Sequence, residues 1–353
     1  MRRPLLGLTI ALSIYVCVPA HAQDLVYGRL RDYLEALRTQ AGIPGMAAAV
    51  VGNTDVVWEQ AFGKQDLEQS ITTLPTTPFQ VDGLTQVFTA SIVLRCVEEG
   101  RLSLDDPIGQ FTKSSPDGTA TIRQILTHTS GSPGNLSYAY RPERLDSLKF
   151  AVRVCTGDSF RETVANWLRG RLNMFDSVPG LDILTVVPPE EGVPSPTDAA
   201  RYAGVLQNLA VPYIVDQQRR ATQSHYSVTT VAPAAGLVSN VRDMSKFYLA
   251  LRNGDIVRPE SLAIAWQPPL SAKGERLPHG LGWFVQSYNG TPVVWQFGLS
   301  DNASSSLAVT IPARGLTLIL VANSDGLTRP FQLSAGDVSA SPFARVFLNL
   351  FTR

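Results

Sequence analysis

Phe79-Gln80-Val81-Asp82-Gly83-Leu84-Thr85-Gln86-Val87-Phe88-Thr89-Ala90 leads into a stretch, Val87 to Val97, that is apolar almost all round and stops at Gly100. A segment of that kind closed by glycine reads as a helix buried in a core. Asp82, just before it, is the candidate N-cap. Further helices are predicted at Ile122 to Leu126, Leu145 to Val154, Ser159 to Leu172, Thr197 to Asn208 and Val241 to Arg252. Asp176 to Pro196, rich in proline, glycine and acids, reads as a long surface loop.

The two ends of the chain have a different character. Leu25, Leu30, Leu34 and Leu37 recur at helical spacing up to Gly42-Ile43-Pro44. Strand-like runs follow at Met46 to Val51 and Val56 to Phe62 around Gly52-Asn53-Thr54-Asp55. Towards the other end, Leu281 to Tyr288 and Val293 to Phe297 flank Asn289-Gly290, a pair suited to a tight primed turn. Ser305 to Ile311 and Leu316 to Ala322 flank Pro312-Ala313-Arg314-Gly315, and a last helix runs from Ser341 to Phe351. Strands at both ends with helices between imply an α/β (α+β) fold. One antiparallel sheet is built from the two chain ends and flanked by helices, with a mainly helical subdomain inserted at about residues 80–255. The cleft between sheet and subdomain is the default site.

Arg2 and Arg3, the apolar run Leu5 to Val18 and Ala20-His21-Ala22 form a signal-peptide pattern over residues 1–22. The run is shorter than the roughly 20 residues of a membrane span. The expected mature domain is 23–353, periplasmic or secreted from a bacterium, with no membrane span after cleavage. Subtracting Arg2 and Arg3 from the 30 basic residues leaves 28 against 30 acidic ones, a net charge near −2. That balance predicts no affinity for nucleic acid or an anionic membrane surface. Cys96 and Cys155 could form one bridge in an oxidising compartment, but both fall in apolar helical patterns, which favours buried free thiols. No histidine or cysteine has metal-ligand spacing, and no cofactor is expected.

The opening stretch resembles the start of the active-site helix in class C β-lactamases, D-alanyl-D-alanine carboxypeptidases and related esterases, where the pattern runs F-x-x-x-S-x-T-K-x-F-T-A. The resemblance continues through Val97-Glu98-Glu99-Gly100-Arg101-Leu102-Ser103-Leu104-Asp105-Asp106-Pro107 and Ile122-Arg123-Gln124-Ile125-Leu126-Thr127-His128-Thr129-Ser130-Gly131. Later blocks are Ala234-Ala235-Gly236-Leu237, His279-Gly280-Leu281-Gly282-Trp283 and Asn323-Ser324-Asp325-Gly326. They lie in family order over nearly all of the mature chain and imply the serine β-lactamase and penicillin-binding-protein fold.

That family's chemistry needs a serine at a helix start and a lysine three residues on, where the amine can act as the hydroxyl's base. On this pattern the two positions hold Gly83 and Gln86. Glycine cannot form an acyl-enzyme, and an amide does not titrate. Three residues before Lys64, Lys113, Lys149, Lys246 and Lys273 stand Ala61, Gln110, Asp146, Asp243 and Leu270, so S-x-x-K occurs nowhere. The family's Y-x-N falls at Tyr140-Arg141-Pro142, with Tyr138 an alternative for the tyrosine. Its K-T-G or H-x-G falls at Gln296-Phe297-Gly298. No catalytic position is therefore intact, while Gly83, Tyr140, Gly298 and Leu299 are the expected ligand contacts. An oxyanion hole from the Gly83 and Leu299 N–H groups could persist. Glycine at position 83 is expected to leave room for a hydroxymethyl group, so that Gly83→Ser with Gln86→Lys would restore weak acylation.

His128 reads as a packing residue, Ser91 and Ser130 lack a base nearby in sequence, and Trp295 and Phe297 either line the cleft or pack. The expected function is a catalytically inactive relative that binds a peptide, peptidoglycan fragment, small molecule or protein partner in the cell envelope. The alternative is an active hydrolase or transferase of the same family with a rearranged site. Loss of nucleophile or base in a serine hydrolase costs on the order of a million-fold in turnover, which favours the first.

Overall fold

The structure is a computed structural model that describes residues 20–113, 115, 117–131, 136–185 and 192–352, with side chains from Asp24 onward. The signal-peptide pattern lies mostly outside the described residues. Among these, no helix is long and apolar enough to cross a membrane.

The helices are α1 (Ala20–Ala41), α2 (Thr85–Glu98), α3 (Ile122–Leu126), α4 (Leu148–Thr156), α5 (Phe160–Asn166), α6 (Pro196–Leu206), α7 (Val241–Asn253), α8 (Pro259–Ala265) and α9 (Pro342–Phe351). The strands are β1 (Gly45–Val51), β2 (Val56–Asp66), β3 (Ile71–Thr72), β4 (Phe79–Gln80), β5 (Tyr213–Val215), β6 (Ala221–Gln223), β7 (Val238–Ser239), β8 (Phe284–Tyr288), β9 (Thr291–Ser300), β10 (Ser304–Ile311) and β11 (Leu316–Ala322). Seven strands form one sheet in the order β3-β2-β1-β11-β10-β9-β8, every neighbouring pair antiparallel. The chain ends meet at its centre, where Met46 pairs with Ala322 and Val51 with Thr317.

Side-chain alternation along the strands divides the core. Ala47, Ala49, Val51, Ile319 and Val321 face α2, α7 and the helical region. Met46, Ala48, Val50, Leu318 and Leu320 face α1 and α9 through Leu30, Leu34, Phe343 and Phe347. Both sheet faces are therefore covered, which is why β1 and residues Leu318 to Ala322 of β11 are apolar on both faces. At the β8–β9 turn Asn289 and Gly290 have φ of 49° and 80°, as a primed hairpin turn requires.

Three expectations need correction. Cys96 and Cys155 form a disulfide joining α2 to α4, because the helical faces that bury the two thiols pack on each other. Asp82 is not an N-cap. It is the first residue of a 3-10 turn, Asp82–Leu84, and neither that turn nor α2 has a side-chain cap. Asp176 to Pro196 is only partly a surface loop. Ser177 to Gly180 are buried, Val178 bridges Val238, and residues 186–191 lie outside the described residues. The helix α8 and the small β5–β6 hairpin were not anticipated.

Candidate functional site

The 3-10 turn before α2, strand β9 and the loop carrying Tyr140 converge at one place. Buried hydroxyls anchor the turn and helix. Ser306 Oγ donates to the Val81 carbonyl at 2.7 Å, Thr85 Oγ1 accepts from the Leu237 N–H at 3.2 Å, and Thr89 Oγ1 donates to the Pro233 carbonyl at 2.8 Å.

Gly83 is buried, with β9 directly upon it. A Cβ built there would collide with the Phe297 carbonyl oxygen and stand 3.3 Å from both Gln86 Nε2 and Gly298 Cα. The expected room for a hydroxymethyl group does not exist, since a backbone acceptor occupies the direction in which a side chain would grow. Gly298 is packed just as closely. Its Cβ would collide with Ser306 Oγ and the Val81 carbonyl, and lie 2.9 Å from the Gly83 nitrogen. Gly298 thus permits close approach of the protein's own 3-10 turn, and it is not among the residues that line the cleft. The Gly83 nitrogen, first of the expected oxyanion pair, lies against this backbone packing.

Gln86 is buried, and its Nε2 donates to the Tyr140 hydroxyl at 2.8 Å, while its Oε1 has no partner among the described residues. Tyr138 instead donates to the Ser334 carbonyl at 2.8 Å, so Tyr140 is the tyrosine beside the helix start. Burial pushes the Tyr140 phenol above its ordinary range, partly offset by the Gln86 bond, so it keeps its proton and is no base. Gln296 is fully buried away from the cleft. Its Nε2 donates to the Gly282 carbonyl at 3.2 Å and its Oε1 accepts from the Phe297 N–H at 2.9 Å.

An aromatic cluster supports this arrangement. Tyr140 lies 4.6 Å from His128 and 5.3 Å from Phe297, between ring centroids, and Phe284 stacks on Trp295 at 4.2 Å. Trp295 packs, whereas Phe297 both packs and lines the cleft. His128 and His279 contact edge to face at 4.6 Å. Burial holds both imidazoles below their ordinary range, with His279 near 4, so both are neutral at physiological pH.

The cleft has a volume of about 580 Å³ and is lined by Gly83, Gln86, Tyr140, Phe297 and Leu299 together with groups the sequence did not single out. Among these are Glu143, Asp146, Ser227, Asp301, Thr328 and Arg329. Arg329 pairs with Asp301 at 2.8 Å and Asp325 at 2.9 Å. Burial pushes the Asp146 carboxyl up, and Glu143 nearby adds to that. These residues sit on loops between helices and strands, where spacing carries no signal of who meets whom.

The family profile described as beta-lactamase matches residues 30–338. The chain belongs to the beta-lactamase family. It is similar to the putative penicillin-binding protein PbpX of Bacillus subtilis (strain 168), 22% identical over 306 residues that cover 79% of this chain and 71% of that one. It also matches Protein flp of Staphylococcus aureus (strain NCTC 8325 / PS 47), 31% identical over 120 residues. That match covers 31% of this chain and spans about a quarter (24%) of flp. The octameric penicillin-binding protein homologue from Pyrococcus abyssi shares the fold, with a TM-score of 0.73 at 19% identity over 92% of this chain and 77% of that one.

Within that family fold, neither Ser91 nor Ser130 stands beside a base. Ser91 is buried and donates to the Val87 carbonyl of its own helix at 2.7 Å. Ser130 Oγ accepts from Arg144, itself paired with Asp117. Arginine stays protonated and cannot take the hydroxyl's proton.

Proposed function

We propose that this chain is a non-hydrolytic member of the beta-lactamase family that acts by binding in the cell envelope. Its ligand would be a peptide, a peptidoglycan fragment or a small molecule held in the ancestral cleft, or a protein partner covering it. One observation carries the reading: the Phe297 carbonyl oxygen stands where a side chain on residue 83 would have to grow. An active site that had merely lost its serine would keep the space for one. Here nucleophile, base and space are all absent, while the cleft beside them stays open. Gln86 and Tyr140, in the lysine and tyrosine positions, hydrogen-bond to each other through the Gln86 amide nitrogen.

Two features support export. The N-terminal segment has a signal-peptide pattern, and the Cys96–Cys155 bridge suits an oxidising compartment.

Incubation with benzylpenicillin and with a fluorophosphonate, followed by intact-mass measurement, tests the loss of chemistry. No adduct is expected. A stoichiometric adduct mapped to Ser91, Ser130 or any other serine would establish a rearranged hydrolase instead. Thermal-shift measurements with muropeptides then test the cleft, using Leu299→Trp to obstruct it at a partly exposed position. Shifts in the parent that vanish in Leu299→Trp are expected, and equal shifts in both would place binding elsewhere.

A further inference from the structure

Sharing no lining residue with the ancestral cleft, α7, α8 and the β10–β11 connection line a separate, partly open cavity of about 270 Å³. A dry apolar cavity of about 150 Å³ suffices for benzene, so this one has space for a single ring with a short tail. Its wall is apolar where Leu262, Trp266 and Trp283 contribute, and Trp283 is almost wholly buried.

Three residues of the same wall carry polar groups that the fold leaves wanting. Tyr248 on α7 is 5% exposed, and its hydroxyl is buried without a hydrogen-bond partner among the described residues. Trp266, at the end of α8, has a buried indole N–H that is also without one among those residues. Native proteins rarely leave such groups unmet, and each one carries a desolvation penalty. The third is Arg252, half-buried on α7. Its guanidinium donates to the Gly52 carbonyl and, at 3.3 Å, to Thr317 Oγ1, both neutral acceptors. Among the described residues no carboxylate reaches it, although sixteen other ion pairs form on this chain. Buried charges are ordinarily paired. Burial correspondingly lowers the Arg252 pKa, with no acid nearby to offset it.

An apolar cavity whose wall holds one unpaired guanidinium and two unsatisfied donor groups is complementary to an apolar body bearing a carboxylate. We propose that this cavity is a second, non-catalytic binding site for a small aryl-alkyl carboxylate, with the ring between Trp266, Trp283 and Leu262 and the carboxylate at Arg252 and Tyr248. The site is independent of the cleft and of the reading given for it. A ligand here would bridge α7 to the turn at Gly52 and to β11, all of them elements of the sandwich around the central sheet.

The test uses the full chain and 3-phenylpropionate as the probe, followed by titration calorimetry and by tryptophan fluorescence, since two tryptophans line the cavity. Saturable binding of the acid is expected. Its neutral analogue 3-phenylpropanamide should bind about tenfold or more weakly, as a charge-assisted contact is lost, and acetate should not bind detectably. Tyr248→Phe should weaken binding without lowering thermal stability, because the hydroxyl it removes has no partner to lose. Arg252→Gln should abolish the preference for acid over amide. Because Arg252 also ties down Gly52 and Thr317, Ala263→Trp at the exposed mouth gives a separate block that leaves those ties intact and should abolish binding. No heat and no fluorescence change up to millimolar acid would overturn the proposal. So would equal affinity for acid and amide, or undiminished binding by Ala263→Trp.

Discussion

Replacing Gly83 by alanine distinguishes a site that lost its serine from one that has closed. Gly83 does not have a positive φ, so alanine is compatible with its backbone. At an unencumbered position with such a backbone, Gly→Ala stabilises by about 0.4–1 kcal/mol, through the reduced entropy of the unfolded chain. At Gly83 the added methyl meets the Phe297 carbonyl and approaches Gly298 Cα to 3.3 Å. Both are backbone atoms of a strand bonded to β10 along its length, so relief requires moving the strand rather than a side chain. Overpacking of that kind costs about 1–3 kcal/mol. The clash outweighs the entropic gain, and a net loss of about 1–2 kcal/mol is expected, or a few degrees in Tm. Gly204 on α6 is the control, because nothing lies within 4 Å of its Cβ position. Gly204→Ala should raise stability by about 0.5–1 kcal/mol. Urea titrations of both variants, read by circular dichroism, give the comparison. A Gly83→Ala protein as stable as the parent, or more so, would refute the closed site.

The double variant Gly83→Ser with Gln86→Lys should show no acylation by nitrocefin in a stopped-flow or mass assay, because the serine side chain has no place beside the Phe297 carbonyl; a measurable burst would show that β9 yields. Asp82 is buried, with Ser304 Oγ donating to it at 2.7 Å, and burial pushes its carboxyl up to about 8. Between pH 4 and 8 the unfolded chain has released this proton and the folded one holds it, so stability contributed by Asp82 is greatest at low pH and declines as pH rises towards 8. Asp82→Asn should therefore gain on the parent across that range, by at most about 1.4 kcal/mol per pH unit, and a constant difference in urea midpoint from pH 5 to 8 would refute it. Cys96 and Cys155 are 59 residues apart, a closure that chain entropy values at about 4 kcal/mol. Reduction, or Cys96→Ser with Cys155→Ser, should lower Tm accordingly, and Tm unchanged by dithiothreitol would show that the bridge contributes nothing.

Much of this molecule was legible without coordinates. Periodicity located β1, β2 and β8 to β11 to within a few residues, because strands buried on one or both faces write their apolar pattern directly into the chain. Order along the chain implied a sheet made from both ends, and the β1–β11 pairing realises it. From their identities alone, Gly83 has no side chain to act as a nucleophile and the amides of Gln86 and Gln296 do not titrate, wherever the fold places them.

What depends on approach between distant segments was decided only in three dimensions. Gly83 alone is equally consistent with an empty socket and a filled one, and the difference is set by Phe297, more than two hundred residues away. Gly298 looked like a surface for ligand and is instead the seat of the 3-10 turn. Asp82 looked like a cap, yet its carboxyl meets Ser304 at the start of β10 rather than a helix N–H. Cys96 and Cys155 each sit on an apolar face, and the same apolar packing that argued for free thiols brings α2 and α4 together and so makes the bridge. Local pattern reports which face of an element is buried. Which atom it is buried against follows from how the elements pack, and here packing sets the Phe297 carbonyl against Gly83.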